Sequence, residues 1–241
     1  MKFVGATDLG QVRLGNEDAY GFDAGRRVAV LADGMGGLNA GEVASAAAVR
    51  AFLEAVPDQC DGVALKKAAM EANRKVFEMS RDNAALGTMG TTLVGCAAAE
   101  GAVDDATSDL PIWLFVHIGD SRAYLLRDGQ LERVTRDHSV VQEMLDHGLL
   151  SEFEARRAPN RHIITRAIGL EAQVIADIIE LPRQSNDLIL LCSDGLTDMV
   201  IESDISAILT DIESPDVAAE QLIAAANRAG GNDNISVVLI R

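Results

Sequence analysis

The sequence has few cysteines and no long apolar run, and each scarcity excludes a class of protein. The three cysteines, Cys60, Cys96 and Cys192, are widely spaced, so we expect buried free thiols in a reducing compartment, by default the cytoplasm. The longest apolar runs, such as LILLC at 188–192, are far shorter than a membrane span requires. The N-terminal stretch MKFVGATDLG has no apolar core long enough for a signal peptide.

Basic residues are also scarce. Lys and Arg number 21 against 37 Asp and Glu, and the resulting net charge of −16 argues against a nucleic-acid partner, because phosphates would be repelled. Hydrophobic residues make up 48% of the chain, which excludes disorder and allows a sizeable core. Repeats, low-complexity segments and linkers are absent, so residues 1–241 are expected to form one domain, with the acidic stretch 101–110 as a surface loop.

Hydrophobic patterns predict strands in two blocks, with helices grouped between and after them. Strands are predicted at 2–7, 27–32, 91–98, 112–118, 122–126, 131–134, 174–181, 187–192 and 235–240. Helical spacing appears around 49–56, 65–79 and 222–229, and Ser214-Pro215 predicts the start of the last helix. Asp128-Gly129 predicts a two-residue hairpin turn, hence antiparallel pairing. This order of elements favours a layered α+β architecture over alternating βαβ units.

Four of the predicted strands carry an aspartate at one end, with glycine adjacent or close by. These aspartates are Asp33, Asp120, Asp194 and Asp233, and Glu17 and Asp18 stand between the first two predicted strands. Any one of them alone is most simply explained by turn chemistry. If the strand ends meet, however, the carboxylates repel one another, and a divalent cation would resolve that conflict. An all-oxygen ligand set suits Mg²⁺ or Mn²⁺ and not Zn²⁺.

Competing metal and phosphate motifs fail at specific positions. None of the Asp-Gly pairs has the preceding acidic residues of an EF-hand loop. GGLNAGE at 36–42 has the glycine spacing of a Walker A loop, but Glu42-Val43 replace the required Lys and Ser/Thr. No GxGxxG fingerprint follows a strand. None of the cysteines is followed six residues later by arginine, which argues against a thiol-based phosphatase loop.

Seven motifs together resemble a known family. They are RLGNEDA (13–19), VLADGMGG (30–37), GTT (90–92), GDSRAYLLRDGQLERVTRDHS (119–139), ITRAIG (164–169), CSDGLTD (192–198) and GGNDNIS (230–236). In this order they resemble the metal-dependent Ser/Thr protein phosphatases of type 2C, from about residue 5 to the end. The DGMGG sequence is similar to that of bacterial members.

The resemblance implies a fold and a core metal centre. The fold would be a four-layer αββα sandwich, with two central, mainly antiparallel sheets flanked by helix pairs, and the centre would hold Mn²⁺ or Mg²⁺ at one edge. Asp33 would bridge two ions, Asp194 and Asp233 would complete one site, and the Gly34 carbonyl would serve the other.

Further positions follow from the same resemblance. Glu17 and Asp18 would serve the second ion directly or through water, and Asp120 with Asp194 would hold a weaker third ion. Arg13 would grip the substrate phosphate, and Asn234 would stand beside the metal-bound water.

Residues 140–169 match the mobile flap of the family and carry a cluster of arginines. The cluster is Arg156, Arg157, Arg161 and Arg166. We expect part of it, Arg161 and Arg166 in particular, to meet acidic or phosphorylated substrates, although surface arginines commonly just pair with neighbouring carboxylates.

The implied chemistry is direct attack on phosphorus by a hydroxide that bridges two metal ions, without a phospho-enzyme. Arg13, Asp33, Asp194 and Asp233 would carry it. Met35 stands where some relatives have a histidine proposed as general acid, so the leaving group must be protonated by metal-bound water or another residue. His117 and His138 are expected to be structural.

The function predicted is hydrolysis of phosphoserine and phosphothreonine in proteins, opposing a Ser/Thr kinase in bacterial signalling. The partners would be phosphorylated proteins and the cognate kinase, not nucleic acid or a membrane, and the chain would be a monomer. One alternative is a catalytically weak regulator that binds phosphoproteins, but such a protein should lack Asp33, Asp194 or Asp233. Another is a metal-dependent hydrolase of small phosphate esters, which the flap disfavours.

Overall fold

Two antiparallel sheets form the centre of the molecule in a computed structural model that describes residues 1–36, 40–82, 88–101 and 110–241. The strands are β1 (Phe3–Asp8), β2 (Asp18–Asp23), β3 (Val28–Met35), β4 (Gly90–Thr91), β5 (Leu93–Gly101), β6 (Leu110–Ile118), β7 (Arg122–Arg127), β8 (Gln130–Arg133), β9 (Asp177–Pro182), β10 (Leu188–Cys192) and β11 (Ile235–Ile240). The helices are α1 (Ala40–Ala55), α2 (Gly62–Asp82), α3 (Val140–Asp146), α4 (Glu152–Ala155), α5 (Asp194–Thr197), α6 (Glu202–Asp211) and α7 (Pro215–Arg228).

The first sheet has the strand order β1-β11-β10-β7-β8, and the second has the order β2-β3-β5-β6-β9 with the short β4 paired to β3. Every one of these pairings is antiparallel. The first and the last strand are neighbours, with Phe3 opposite Ile240 and Asp8 opposite Ile235. This pairing brings the loop after β1 next to the loop before β11.

Three apolar clusters show that the sheets form the two inner layers of a four-layer sandwich. Leu31 and Phe115 of the second sheet belong to one cluster with Ile189 and Val238 of the first, so the two sheets pack face to face. The outer face of the second sheet packs against α1 and α2, and that of the first sheet against α6 and α7. The central strands β10 and β11 are buried at every residue because both of their faces are covered. The predicted αββα fold class is confirmed.

Local signals in the sequence located several turns and caps correctly. Asp128 and Gly129 join β7 to β8 with positive φ angles of 50° and 75°, as a two-residue hairpin turn of the predicted kind requires. Helix α7 begins at Pro215 with Ser214 as its N-cap residue. Cys96 and Cys192 are buried free thiols on strands, whereas Cys60 is only partly buried. The loop predicted at 101–110 falls mainly on residues 102–109, which lie outside the described residues.

One strand was missed. Asp18 was expected between the first two strands, but it begins β2 and lies opposite Asp33 of β3. The sequence DAYGFD contains two aspartates and a glycine, which are uncommon in strands. It also has no β-branched residue, the usual mark of a strand. Its strand conformation comes from pairing with the buried strand β3, which a local pattern does not show.

The segment from α3 to Ala158 carries an apolar cluster of its own, formed by Val141, Ala155 and Ala158. Ser139 caps α3, and Ser151 forms a capping box with Glu154 at the start of α4. Among the described residues, none of the helices combines the length and the apolar character that a membrane crossing requires.

The core between the sheets gives a test of the fold. Phe115 is fully buried there, so Phe115→Ala is expected to lower the free energy of unfolding by about 3–5 kcal/mol, because a cavity replaces the ring. Val63→Ala, at a side chain that is 61% exposed, should change it by no more than about 0.5 kcal/mol. Urea unfolding measures both; equal effects would contradict the assignment of Phe115 to the core.

Candidate metal centre

The ends of strands from both sheets meet at one edge of the sandwich and enclose a cleft of about 490 Å³. Asp33 lies near the end of β3, Asp120 follows β6, Asp194 follows β10 as the first residue of α5, and Asp233 precedes β11. The predicted site residues that line the cleft are Arg13, Glu17, Asp33, Gly34, Asp120, Arg161, Asp194, Asp233 and Asn234. The structure thus brings together carboxylates that are far apart in sequence.

Burial and mutual repulsion shift the titration of these carboxyl groups. Burial is the main cause that raises the pKa of Asp33 well above its usual value, and repulsion by Asp18, Asp194 and Asp120 adds to it. The pKa of Asp120 is likewise raised well above its usual value, first by burial and then by Asp194. Ionising several of these carboxyl groups together costs free energy because the negative charges repel one another. A bound cation offsets that repulsion.

Asp18 lies behind the cleft and supplies an independent test of whether a cation fits. Its Oδ2 accepts a hydrogen bond from Ser193 Oγ at 2.8 Å, but its buried Oδ1 has no hydrogen-bond partner among the described residues. Burial raises the pKa of Asp18 to about 7, and repulsion by Asp194 and Asp233 contributes. An unpartnered carboxylate oxygen among like charges fits a divalent ion, bound directly or through water.

Two glycines in the cleft have no room for a side chain. A Cβ on Gly34 would overlap the carbonyl oxygen of Gly41, and a Cβ on Gly195 would overlap the carbonyl oxygen of Asn234. The Gly34 amide also donates to the Glu17 carbonyl at 3.1 Å. The glycines therefore allow the backbones that carry the acidic residues to approach closely, as the DG pairs in the sequence indicate.

Hydroxyl groups of the GTT motif hold Asp33. The Asp33 amide donates to Thr92 Oγ1 at 2.9 Å, and Thr91 Oγ1 donates to the Asp33 carbonyl at 2.8 Å. Thr92 Oγ1 also lies 2.7 Å from Ser121 Oγ, next to Asp120. These bonds connect the backbone that carries Asp33 with the turn that carries Asp120. The threonines were not among the predicted site residues.

Asn234 fastens the loop after β1 to the loop before β11. Its Oδ1 accepts from the Glu17 amide at 2.8 Å, and its Nδ2 donates to the carbonyls of Leu9 and Gly15, each at 3.0 Å. The side-chain amide is thus fully engaged with the backbone of the loop that carries Arg13 and Glu17. This arrangement supports the predicted ligands, and the position of Asn234 beside a metal-bound water stays a prediction.

The predicted substrate-binding arginines lie in different places. Arg13 is half-exposed at the cleft, and its Nη2 donates to Asp233 Oδ2 at 2.6 Å, which raises the pKa of Arg13 above its usual value. Arg161 also lines the cleft, with its Nε 3.7 Å from Asp198 Oδ2. Arg166 does not line it; its Nη1 donates to Asp177 Oδ1 at 2.9 Å.

His162 and Asp198 are potential ligands that sequence reasoning missed. His162 Nδ1 lies 3.8 Å from Asp194 Oδ2 and 3.6 Å from Asp198 Oδ2. The three residues offer ligand atoms within 4.8 Å of one another and could hold a cation. The position of Asp198, four residues after Asp194 within the CSDGLTD motif, was a usable signal. His162 gave none, because it reaches the cleft from the segment between α4 and β9.

The fold and this cluster of carboxylates define a candidate divalent-metal centre, and comparison with known proteins identifies the family. The family model described as "Protein phosphatase 2C" matches residues 11–227. This chain therefore belongs to the protein phosphatase 2C family.

Similar proteins and a solved structure support this family assignment. The chain is 37% identical over 244 residues to the serine/threonine phosphatase stp of Listeria welshimeri, with 97% of this chain and 93% of the relative covered. It is 39% identical to the protein phosphatase PhpP of Streptococcus pneumoniae, with 97% and 94% covered. A solved structure of the PstP catalytic domain with two manganese ions matches at a TM-score of 0.85 and 35% identity, covering 99% of this chain and 96% of that one.

The raised pKa of Asp18 predicts how stability depends on pH when metal is removed with EDTA. The folded-state pKa of about 7 exceeds the usual 3.8, so the folded state binds more protons between these values. Its stability should therefore fall as pH rises from about 4 to about 7, by up to about 1.4 kcal/mol per pH unit for this group. Asp18→Asn should flatten the decline in urea unfolding, and Asp211→Asn, on the exposed end of α6, should not. An unchanged slope in Asp18→Asn would contradict the prediction.

Proposed function

We propose that this protein removes phosphate from phosphoserine and phosphothreonine residues of other proteins, using two Mn²⁺ or Mg²⁺ ions. The observation that carries the proposal is the set of carboxylates Asp33, Asp194 and Asp233 around one cleft, with Arg13 beside them. Membership of the protein phosphatase 2C family and the manganese ions in the PstP structure support it.

The residues that would hold the two core ions are Glu17, Asp18, Asp33, Gly34 through its carbonyl, Asp194 and Asp233. Asp120 and Asp194 would hold a third, weaker one. When bound, the ions supply Lewis-acid chemistry that lowers the pKa of water and neutralises phosphate charge. The acidic side chains are presented on strand ends, and Thr92 and Asn234 fix their backbones, so the ligand positions are set before substrate binds.

Arg13 supplies the group that recognises the phosphate. Its guanidinium already pairs with an anion, Asp233, and a phosphate monoester offers the same guanidinium two oxygens in place of a carboxylate. Arg13 is half-exposed, so it can turn from Asp233 toward substrate at the mouth of the cleft. It would then orient the phosphate and stabilise its charge during the reaction.

The protein itself supplies no nucleophile from cysteine. Cys96 and Cys192 are buried on strands, and burial raises the pKa of Cys192 to about 12, so its thiol does not ionise at neutral pH. Met35 lines the cleft and has no proton to give to the leaving group. These features support attack on phosphorus without a covalent phospho-enzyme.

The proposed setting is bacterial signalling in the cytoplasm, where the protein would oppose a Ser/Thr kinase as a monomer. Residues 1–241 would form a single catalytic domain, with residues 140–169 as the flap beside the cleft. The bacterial Ser/Thr phosphatases to which the chain is similar support this setting.

The proposal is tested by measuring phosphate release with and without metal, in the wild type and in a variant of Asp194. With Mn²⁺ the protein should release phosphate from a phosphothreonine peptide, and excess EDTA should abolish release. Asp194→Asn should lower kcat/KM at least ~10²-fold, because an electrostatic stabiliser is lost. Asp211→Asn is the matched control and should retain full activity. Full activity of Asp194→Asn, or a metal-loaded wild type that turns over nucleotides but no phosphopeptide, would contradict the proposal.

The flap arginines predict a difference between large and small substrates. Arg156 and Arg161 line a second cleft of about 690 Å³ that adjoins the metal cleft, and Arg157 stacks on Phe153 at 4.0 Å. Replacing Arg156 and Arg157 together by Gln should raise KM for a phosphopeptide about 10-fold and leave KM for a small aryl phosphate unchanged, because neither arginine lines the metal cleft, unlike Arg161. Arg228→Gln on α7 is the control, and equal effects on both substrates would refute the role.

A further inference from the structure

Two buried histidines take no part in the proposed chemistry. His117 on β6 is fully buried, and neither of its ring nitrogens has a hydrogen-bond partner among the described residues. Its ring lies 4.7 Å from that of His138, which is 8% exposed. His138, unlike His117, is hydrogen-bonded on both sides of its ring, and its partners belong to two different parts of the site.

The first partner is the turn that carries Asp120. The Gly119 amide donates to His138 Nδ1 at 3.1 Å, and the His138 amide donates to the Gly119 carbonyl at 2.7 Å. Gly119 has a φ of 105°, and a Cβ there would collide with Thr92. Both polar backbone groups of the residue before Asp120 are therefore held by His138.

The second partner is Asp177, the first residue of β9, which also binds Arg166 near the end of the flap. His138 Nε2 lies 3.2 Å from Asp177 Oδ2, and Arg166 donates to the other oxygen of Asp177. The Thr165 amide donates to the His138 carbonyl at 2.7 Å. His138 directly precedes Ser139, the cap of α3, so it lies where the flap starts and contacts the residues where the flap ends.

The hydrogen bonds fix the tautomer of His138. An amide N–H can only donate, so Nδ1 must be unprotonated to accept from Gly119. Burial is the main cause that lowers the pKa of His138, so the ring is neutral and its proton is on Nε2, which donates to Asp177. Arg166 Nη1 lies 3.1 Å from Nε2, but both are donors, so Asp177 is the acceptor that the two share.

We propose that His138 is a positioning residue that joins the flap to the Asp120 turn. Nδ1 sets the turn, and Nε2, through Asp177 and Arg166, sets the end of the flap. These contacts assign Arg166 to the hydrogen-bond network with His138 and Asp177 and not to substrate binding. The importance of the Asp120 turn rests on the proposed function, whereas the joint itself can be tested without catalysis.

A residue that only fills space would act through its shape. The role proposed for His138 depends instead on its two ring nitrogens, Nδ1 and Nε2. The two halves can therefore be removed one at a time. In His138→Asn the side-chain oxygen reaches the place of Nδ1 and can accept from Gly119, but the link to Asp177 is lost. In His138→Gln the side-chain amide reaches the place of Nε2 and can donate to Asp177, but the acceptor for Gly119 is lost.

Two measurements report separately on the contact of Nδ1 with the Asp120 turn and on the contact of Nε2 with Asp177. Calorimetric titration with Mn²⁺ alone reports on ion affinity, including the weakest site, where Asp120 is a predicted ligand. Limited trypsin digestion after Arg156 and Arg157, both exposed, reports on opening of the flap. His138→Asn should speed cleavage about 3- to 10-fold with Mn²⁺ affinity unchanged. His138→Gln should weaken the weakest Mn²⁺ site about 3- to 10-fold with cleavage unchanged.

Either of two results would overturn the proposal: both variants alter both readouts alike, or neither variant alters its own readout. Asp177→Ala keeps the flap half testable if a His138 variant does not fold; it should speed cleavage like His138→Asn, and wild-type cleavage would refute the joint. Asp211→Ala is the control for loss of a surface carboxylate. Failure of the phosphatase assay with wild type would count against the proposed function but would leave the trypsin result intact.

Discussion

Repulsion among carboxylates at one edge of the sandwich is the constraint on which the rest of the structure depends. Asp18 is buried and Asp33 and Asp120 are partly buried, all close to other acids, and burial together with this repulsion raises the pKa of each. A loose scaffold would separate these groups to relieve the repulsion. Strand β3, which carries Asp33, and strand β10, which Asp194 follows, are instead buried along most of their length, so the cost of packing the charges falls on the stability of the protein without metal.

The supporting hydrogen bonds show how the acids are kept in place. Several of these bonds hold the backbone next to an acid and not its carboxylate oxygens, which stay free to bind an ion. Thr92 holds the amide of Asp33, Asn234 holds the loop with Glu17, and Ser193 holds one oxygen of Asp18. Neutral hydroxyl and amide groups do this without adding charge to the cluster or competing for the metal.

The sequence predicts those parts of the site whose signals are local. Asp33, Asp120, Asp194 and Asp233 could be found because each stands at the end of an apolar run with glycine adjacent or close by, and the layered fold follows from the order of the elements. Strand β2 could not be found, because its pairing with β3 overrides a weak strand composition. His162 and Arg166 depend on where the flap lies, and the side-chain partners of a flap are set by tertiary packing.

The pairing of the first strand with the last has a consequence for synthesis. Asn234 binds the backbone of Leu9 and Gly15, and Asp233 pairs with Arg13, so the N-terminal loop forms several of its contacts with residues near position 234. During translation the ribosome makes Leu9 225 residues before it makes Asn234. A nascent chain therefore cannot form the Arg13–Asp233 ion pair or complete the carboxylate lining of the cleft until the segment that leads into β11 has emerged.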